Sequence, residues 1–302
     1  MANSGRRRRQ KKSRIREELD DLVRGLCGGF LFGIPVLYTM EVWWIGSSVT
    51  PPRLLAIVLS TLFVTYLLSS TSGFRKSQSG NLRESFGDAV EAIALGTICA
   101  IFMLVILRQV TLETQLNEAV GKVILESVPF ALGVALSNQF LSDSDEASGS
   151  KRKQPSKTAQ KIDSFFPENN LNETITDISA TLLGAIVIAF SIAPTDEVTT
   201  LVAAVHGPWL LAVVVVSLLL SYSIVFQANF TRQGQRQKQE GLFQGPLSET
   251  VFSYLLSLMM SGLMLGFFQK IDPAGPLEIA FRQVLILGLP ATIGGAAGRL
   301  VI

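Results

Sequence analysis

The sequence predicts an all-α polytopic membrane protein of about eight transmembrane helices, set out as two parallel-repeat four-helix halves. Three observations carry this. Charged residues make up 17% of the chain and hydrophobic ones 48%, with a mean hydropathy of +0.39; a soluble domain carries roughly 25% charged residues. The apolar residues fall in long runs rather than on amphipathic faces, and a bilayer core asks for roughly 20 of them per helix. Finally, Glu17 to Phe74 lies on Glu173 to Phe230, and Asp88 to Leu141 on Glu249 to Ile302, each at constant offset and without a gap. The matches include residues that hydrophobic bias does not produce: Gly28 with Gly184, Glu41 with Glu197, Pro52 with Pro208, Pro129 with Pro290 and Gly133 with Gly294.

In chain order, a basic tail covers residues 1–16, a first membrane repeat 17–141, a polar linker 142–170 and a second repeat 171–302. The expected spans are Leu22–Trp44, Leu54–Ser72, Ala89–Leu107 and Ala119–Phe140, then Ile178–Ala193, Trp209–Phe226, Val251–Phe268 and Ile279–Ile302. Each repeat returns the chain to its starting side, so the repeat is parallel rather than inverted. Lys and Arg collect in alternate segments: the tail from Arg6 to Arg16; Arg75, Lys76 and Arg83; Lys151 to Lys161; and Arg232, Arg236 and Lys238. The positive-inside rule then places both termini in the cytoplasm, and Trp43, Trp44 and Trp209 at the outer interface. Gly25, Gly29 and Gly33 on the first span, and Gly294, Gly295 and Gly298 on the last, mark seams where helix backbones approach closely.

Acidic groups are costly in a bilayer, about 2.5–3.5 kcal/mol at a helix centre on insertion scales, so depth ranks the candidates. Glu41 and Glu197 stand at outer span ends, and Asp88 and Glu249 at cytoplasmic helix starts. Interfacial water and the helix dipole account for carboxylates at such places. Glu91 is one turn deeper than Asp88 and on the same face. Glu118, Lys122 and Glu126 recur every four residues and form one stripe, whose opposite charges are expected to neutralise one another. Glu126 lies nearest the middle of its span, beside Pro129, with Lys122 as its expected partner. The second half has Leu287 in the place of Glu126 and Phe252 in the place of Glu91. Any ion pathway is therefore asymmetric and belongs mainly to the first half, with Glu91, Glu126, Lys122, Asp88, Glu249, Glu41 and Glu197 as its candidates.

The remaining chemistry is sparse. Cys27 and Cys99 both fall inside spans and read as small packing residues. His206 is the only histidine, too few for a metal-dependent membrane hydrolase, and no Gly-x-Ser-x-Gly elbow is present. No enzymatic activity, metal or cofactor is expected. The basic tail beside a first span suits anionic lipid and topology rather than nucleic acid. The expected partners are the lipid bilayer and either another membrane protein or further copies of the chain. Transport or conduction of a small cation or protons is the favoured function; a non-transporting scaffold or subunit of a membrane complex is the alternative.

Arg24-Gly25 through Gly28-Gly29, the segment from Gly33-Ile34-Pro35 to Glu41-Val42-Trp43-Trp44, and Gly207-Pro208-Trp209 resemble an uncharacterised bacterial integral membrane protein family, a multispan group of unknown function. The similarity covers nearly the whole chain after the tail. It implies a bacterial inner-membrane location and multispan topology, and it carries over no functional residue.

Overall fold

The computed structural model describes residues 2–76, 82–149, 170–227, 245–272 and 274–301. Among these residues the regular elements are all helices: α1 (Ala2–Leu37), α2 (Met40–Ser48), α3 (Pro51–Lys76), α4 (Leu82–Ile106) and α5 (Leu116–Gly149). Then come α6 (Asn170–Ile192), α7 (Glu197–Ala204), α8 (Pro208–Tyr222) with a π-helical turn over Ser223–Gln227, α9 (Pro246–Phe267) and α10 (Leu277–Val301). Seven are long and apolar enough to cross a membrane, and the count reaches eight if the bent pair α1–α2 is one span. The side chains of the tail and of Arg75 and Lys76 lie outside the described residues. So do the loop cations Lys151 to Lys161 and Arg232 to Lys238.

Local chemistry sets the helix ends. Proline, whose fixed φ suits a first helical turn and whose missing N–H costs nothing there, opens α3 at Pro51, α8 at Pro208 and α9 at Pro246. The chain leaves α4 through Arg108 (φ 55°) and α9 through Gln269 (φ 56°), left-handed residues that close helix C-termini.

The apolar run Leu22–Trp44 is not one straight span. Thr39 is extended (φ −124°, ψ 98°), which ends the helical hydrogen bonding, and the Met40–Ser48 helix turns 89° away from Glu18–Leu37. Hydropathy alone does not register this corner, because both arms are apolar.

Two helices organise the bundle. α5 packs against α1, α2, α3 and α4; α10 packs against α6, α7, α8 and α9. The two groups meet where α1 lies along α10 and the π-helical turn, and one continuous core joins them, from Cys27 and Phe30 through Leu201 to Ile286 and Leu289. Each central helix crosses its neighbour backbone to backbone. A Cβ on Gly28 or Gly133 would strike the opposite carbonyl, and the same holds for Gly184 and Gly294. Without a hydrophobic drive between helices in lipid, such close approach supplies the association. A third crossing seats α2 on α5, where a Cβ on Gly121 would run into the Gly46 carbonyl. Gly121→Leu is therefore expected to lift α2 from α5 at a cost of about 1–3 kcal/mol, the usual range for overpacking. A melting curve in detergent unchanged from the wild type would contradict this seat.

Candidate functional site

The stripe Glu118, Lys122, Glu126 does not neutralise itself as its spacing suggests. Lys122 has a carboxylate one turn away on either side, and it turns towards Glu118, with Nζ 2.6 Å from Oε1. The same ammonium donates to the Gln109 carbonyl at 3.1 Å, an acceptor in the loop that follows α4. That second bond decides the direction, and it leaves Glu126 without the partner the sequence assigned to it.

Glu126 is fully buried at 0% exposure. Both carboxyl oxygens are enclosed by protein with no hydrogen bond of ordinary geometry, and the Trp43 indole, whose own Nε1 is likewise buried and unbonded, faces them. The phase of α2 produces this. Trp43 and Gly46, three residues apart, share the inward side, while Glu41, Trp44, Ile45, Ser47 and Ser48 point outward. Seating Gly46 on the Gly121–Lys122 backbone brings Trp43, one turn earlier, over Glu126. Trp43 is thus 2% exposed, not an interfacial anchor; only Trp44 of the pair faces outward.

A buried polar group normally has a partner, and a carboxyl deprived of one is among the costlier things a protein interior can hold. An acid without an ionic partner inside a membrane bundle is a candidate functional position.

The other candidates separate by face. Glu91 is exposed on the outward side of α4, in one stripe with Ile98, Phe102 and Val105, while Ala92, Cys99 and Met103 form the inward side. Glu91 and Glu126 therefore share no site. Asp88 is exposed one turn before Glu91. Glu41 is exposed, yet Glu197, its match, is 6% exposed; Glu197 Oε1 accepts from the Met40 N–H at 3.4 Å and Oε2 is buried without a bond. On α10, Arg282 Nη2 binds Glu278 Oε1 at 2.5 Å. Glu249 forms an ion pair with Arg299, a residue 1% exposed that also donates to Ser253 Oγ at 3.0 Å and lies over the Phe226 ring at 5.8 Å.

The sequence pattern did not mark Arg299, Tyr38 or the inward face of Trp43. Arg299 had one available signal, as a cation among Gly294, Gly295 and Gly298 in a span whose far neighbour carries Glu249. Among the described residues, no three His, Cys, Asp or Glu side chains converge as a metal set.

Neither the curated proteins nor the solved structures give a match to this chain. A family match extends over residues 21–302, nearly all of the chain beyond the basic tail. It agrees with the apolar helices and close glycine crossings described above: the chain belongs to the integral membrane family described as "Putative integral membrane protein (DUF2391)".

Proposed function

We propose that the protein moves protons or a small cation across a bacterial inner membrane, with Glu126 as the binding carboxyl and both termini cytoplasmic. The carrying observation is that Glu126 is wholly buried, has no ionic partner, and is covered by a short helix that brings only the Trp43 indole to it. A purely structural carboxyl would be expected to have taken Lys122, which is one turn away and binds elsewhere. On this reading the chain is not an enzyme.

The proposal includes the duplication, which has geometric support at the sequence offset. The Gly28–Gly133 crossing corresponds to the Gly184–Gly294 crossing, and left-handed Arg108 to left-handed Gln269. The Lys122 bond to the Gln109 carbonyl corresponds to a Gln283 bond to the Lys270 carbonyl at 3.3 Å. Within such a pair of halves, Glu126 replaced by Leu287 means that one half carries the ion and the other supports it.

Purified protein in liposomes should pass protons, Na⁺ or K⁺ faster than protein-free liposomes under an imposed gradient. Glu126→Gln should bring the rate down to the protein-free level, and Glu91→Gln should leave it at the wild-type level, because Glu91 is outside the site. Wild-type rates equal to protein-free rates for all three ions would contradict the proposal. The scaffold reading draws on the outward stripe of Glu91, Ile98, Phe102 and Val105, a face that suits a neighbouring helix. A stoichiometric partner lost with Glu91→Leu, together with absent flux, would favour it.

A further inference from the structure

The geometry points to Glu197 and Tyr38 as positioning residues that latch α2 over Glu126; the inference rests on the reading of Glu126 as the cation site. Three contacts from the second half converge on the corner at residues 38–40, where α1 gives way to α2. Tyr38 Oη donates to the Ile286 carbonyl at 2.6 Å. Ile286 stands four residues before Pro290, which has no N–H to offer, so this carbonyl is free to accept an outside donor. Glu197 Oε1 accepts from the Met40 N–H at 3.4 Å, and Thr200 Oγ1 approaches Met40 Sδ at 3.4 Å.

α2 needs such help. Its first N–H groups lack helical partners, and Thr39, the residue placed to cap them, makes no side-chain cap. A carboxylate from across the bundle supplies both the acceptor and the negative charge that a helix N-terminus favours. The hydrophobic anchorage of α2 is also thin: its buried residues are Trp43 and Gly46 alone, whereas α7 buries Glu197, Val198, Leu201 and Val202. Polar contacts at the corner therefore decide whether α2 stays seated.

The latch is one-sided. Glu41, the match of Glu197, is exposed, and the match of Tyr38 is Pro194, which has no hydroxyl. The matched corner of the second half thus lacks both latch residues, and the contacts come from α7 and α10 onto the corner that leads into α2. Met40 and Trp43 lie one turn apart on α2, roughly 4.5 Å along the axis, so loosening the corner lifts the indole from Glu126. Opening and closing of α2 is then the access step for the ion, and Glu197 and Tyr38 set its equilibrium.

The test uses the full chain with Trp44→Phe and Trp209→Phe, leaving Trp43 as the single indole, in phosphatidylcholine–phosphatidylglycerol vesicles. Acrylamide quenching reports how often α2 lifts. Tyr38→Phe, which removes the donor, should raise the lifted population roughly fivefold, the factor carried by a hydrogen bond; Glu197→Gln, which keeps an acceptor and loses only the charge, should raise it roughly twofold, while Glu41→Gln leaves it unchanged. Tyr38→Phe removes one hydroxyl and keeps the ring, so it remains decisive if Glu197→Gln does not fold. The ion leak should rise in Tyr38→Phe and vanish when Glu126→Gln is added, a pattern that a merely structural contact would not give. Quenching unmoved in both variants would overturn the latch, even if Glu126-dependent flux is present. Raised quenching without flux from any variant would overturn the cation reading and leave the latch standing.

Discussion

Glu126→Leu is expected to make the protein more stable. The substitution installs the residue that the second half has at Leu287, close to glutamate in volume, in a fully buried position. Two effects oppose each other. The wild type keeps an unsatisfied polar group out of water, worth about 1–3 kcal/mol for a neutral group and more for a charged one. Against this, leucine removes the acceptor that faces Trp43 Nε1. That contact lacks the geometry of a hydrogen bond, so its loss costs less than the orphaned carboxyl does. The net expectation is a gain of about 1–2 kcal/mol, read as a melting temperature higher by a few degrees in detergent. A melting temperature that falls would mean that Glu126 holds α2 in place through Trp43, and that its role is structural. Proteins retain destabilising groups where activity needs them, so a stabilised protein that has lost flux is the signature of a functional carboxyl.

The largest destabilisation is expected from Arg299→Met. Arg299 is fully enclosed and paired with Glu249, whose side chain is 13% exposed. Removing one member of a buried pair leaves the other charge uncompensated, at a cost of about 3–5 kcal/mol. The Ser253 hydroxyl also loses its donor. Replacing both partners, as Glu249→Leu with Arg299→Met, should recover most of that loss, because an apolar pair of similar volume is often as stable as a buried ion pair. The comparison needs only melting curves of the two variants. A double variant as unstable as the single one would show that the pair matters for more than charge compensation. Arg299→Met melting with the wild type would contradict its placement in the core.

The sequence made the helices and their seams legible, because both depend on composition at fixed positions. Glycine and proline at matched sites mark where backbones cross and helices start, and Gly28, Gly133, Gly184 and Gly294 all stand at such crossings. What depends on helix phase was hidden. Beyond Asp88 the residues around Glu91 on α4 are apolar on every side, so hydropathy gave no sign that Ala92 faces inward and Glu91 outward. Lys122 has acids at both i−4 and i+4, and a carbonyl in a loop made the choice. Trp43 and Trp44, adjacent at the end of an apolar run, read as a pair of interfacial anchors, and the phase of α2 turns one inward and the other outward. Glu197 and Met40 are separated by a whole membrane unit, and no local pattern foretells that they meet. The depth of Glu126 was legible; its lack of a partner was not.

The decisive measurement is ion flux through liposomes bearing the wild type or Glu126→Leu, at matched protein content and with gradients of H⁺, Na⁺ and K⁺. Wild-type flux should exceed the protein-free level for at least one of these ions, and Glu126→Leu should give none above it. Equal flux from the two proteins, or no flux from the wild type, would contradict Glu126 as the ion-binding carboxyl.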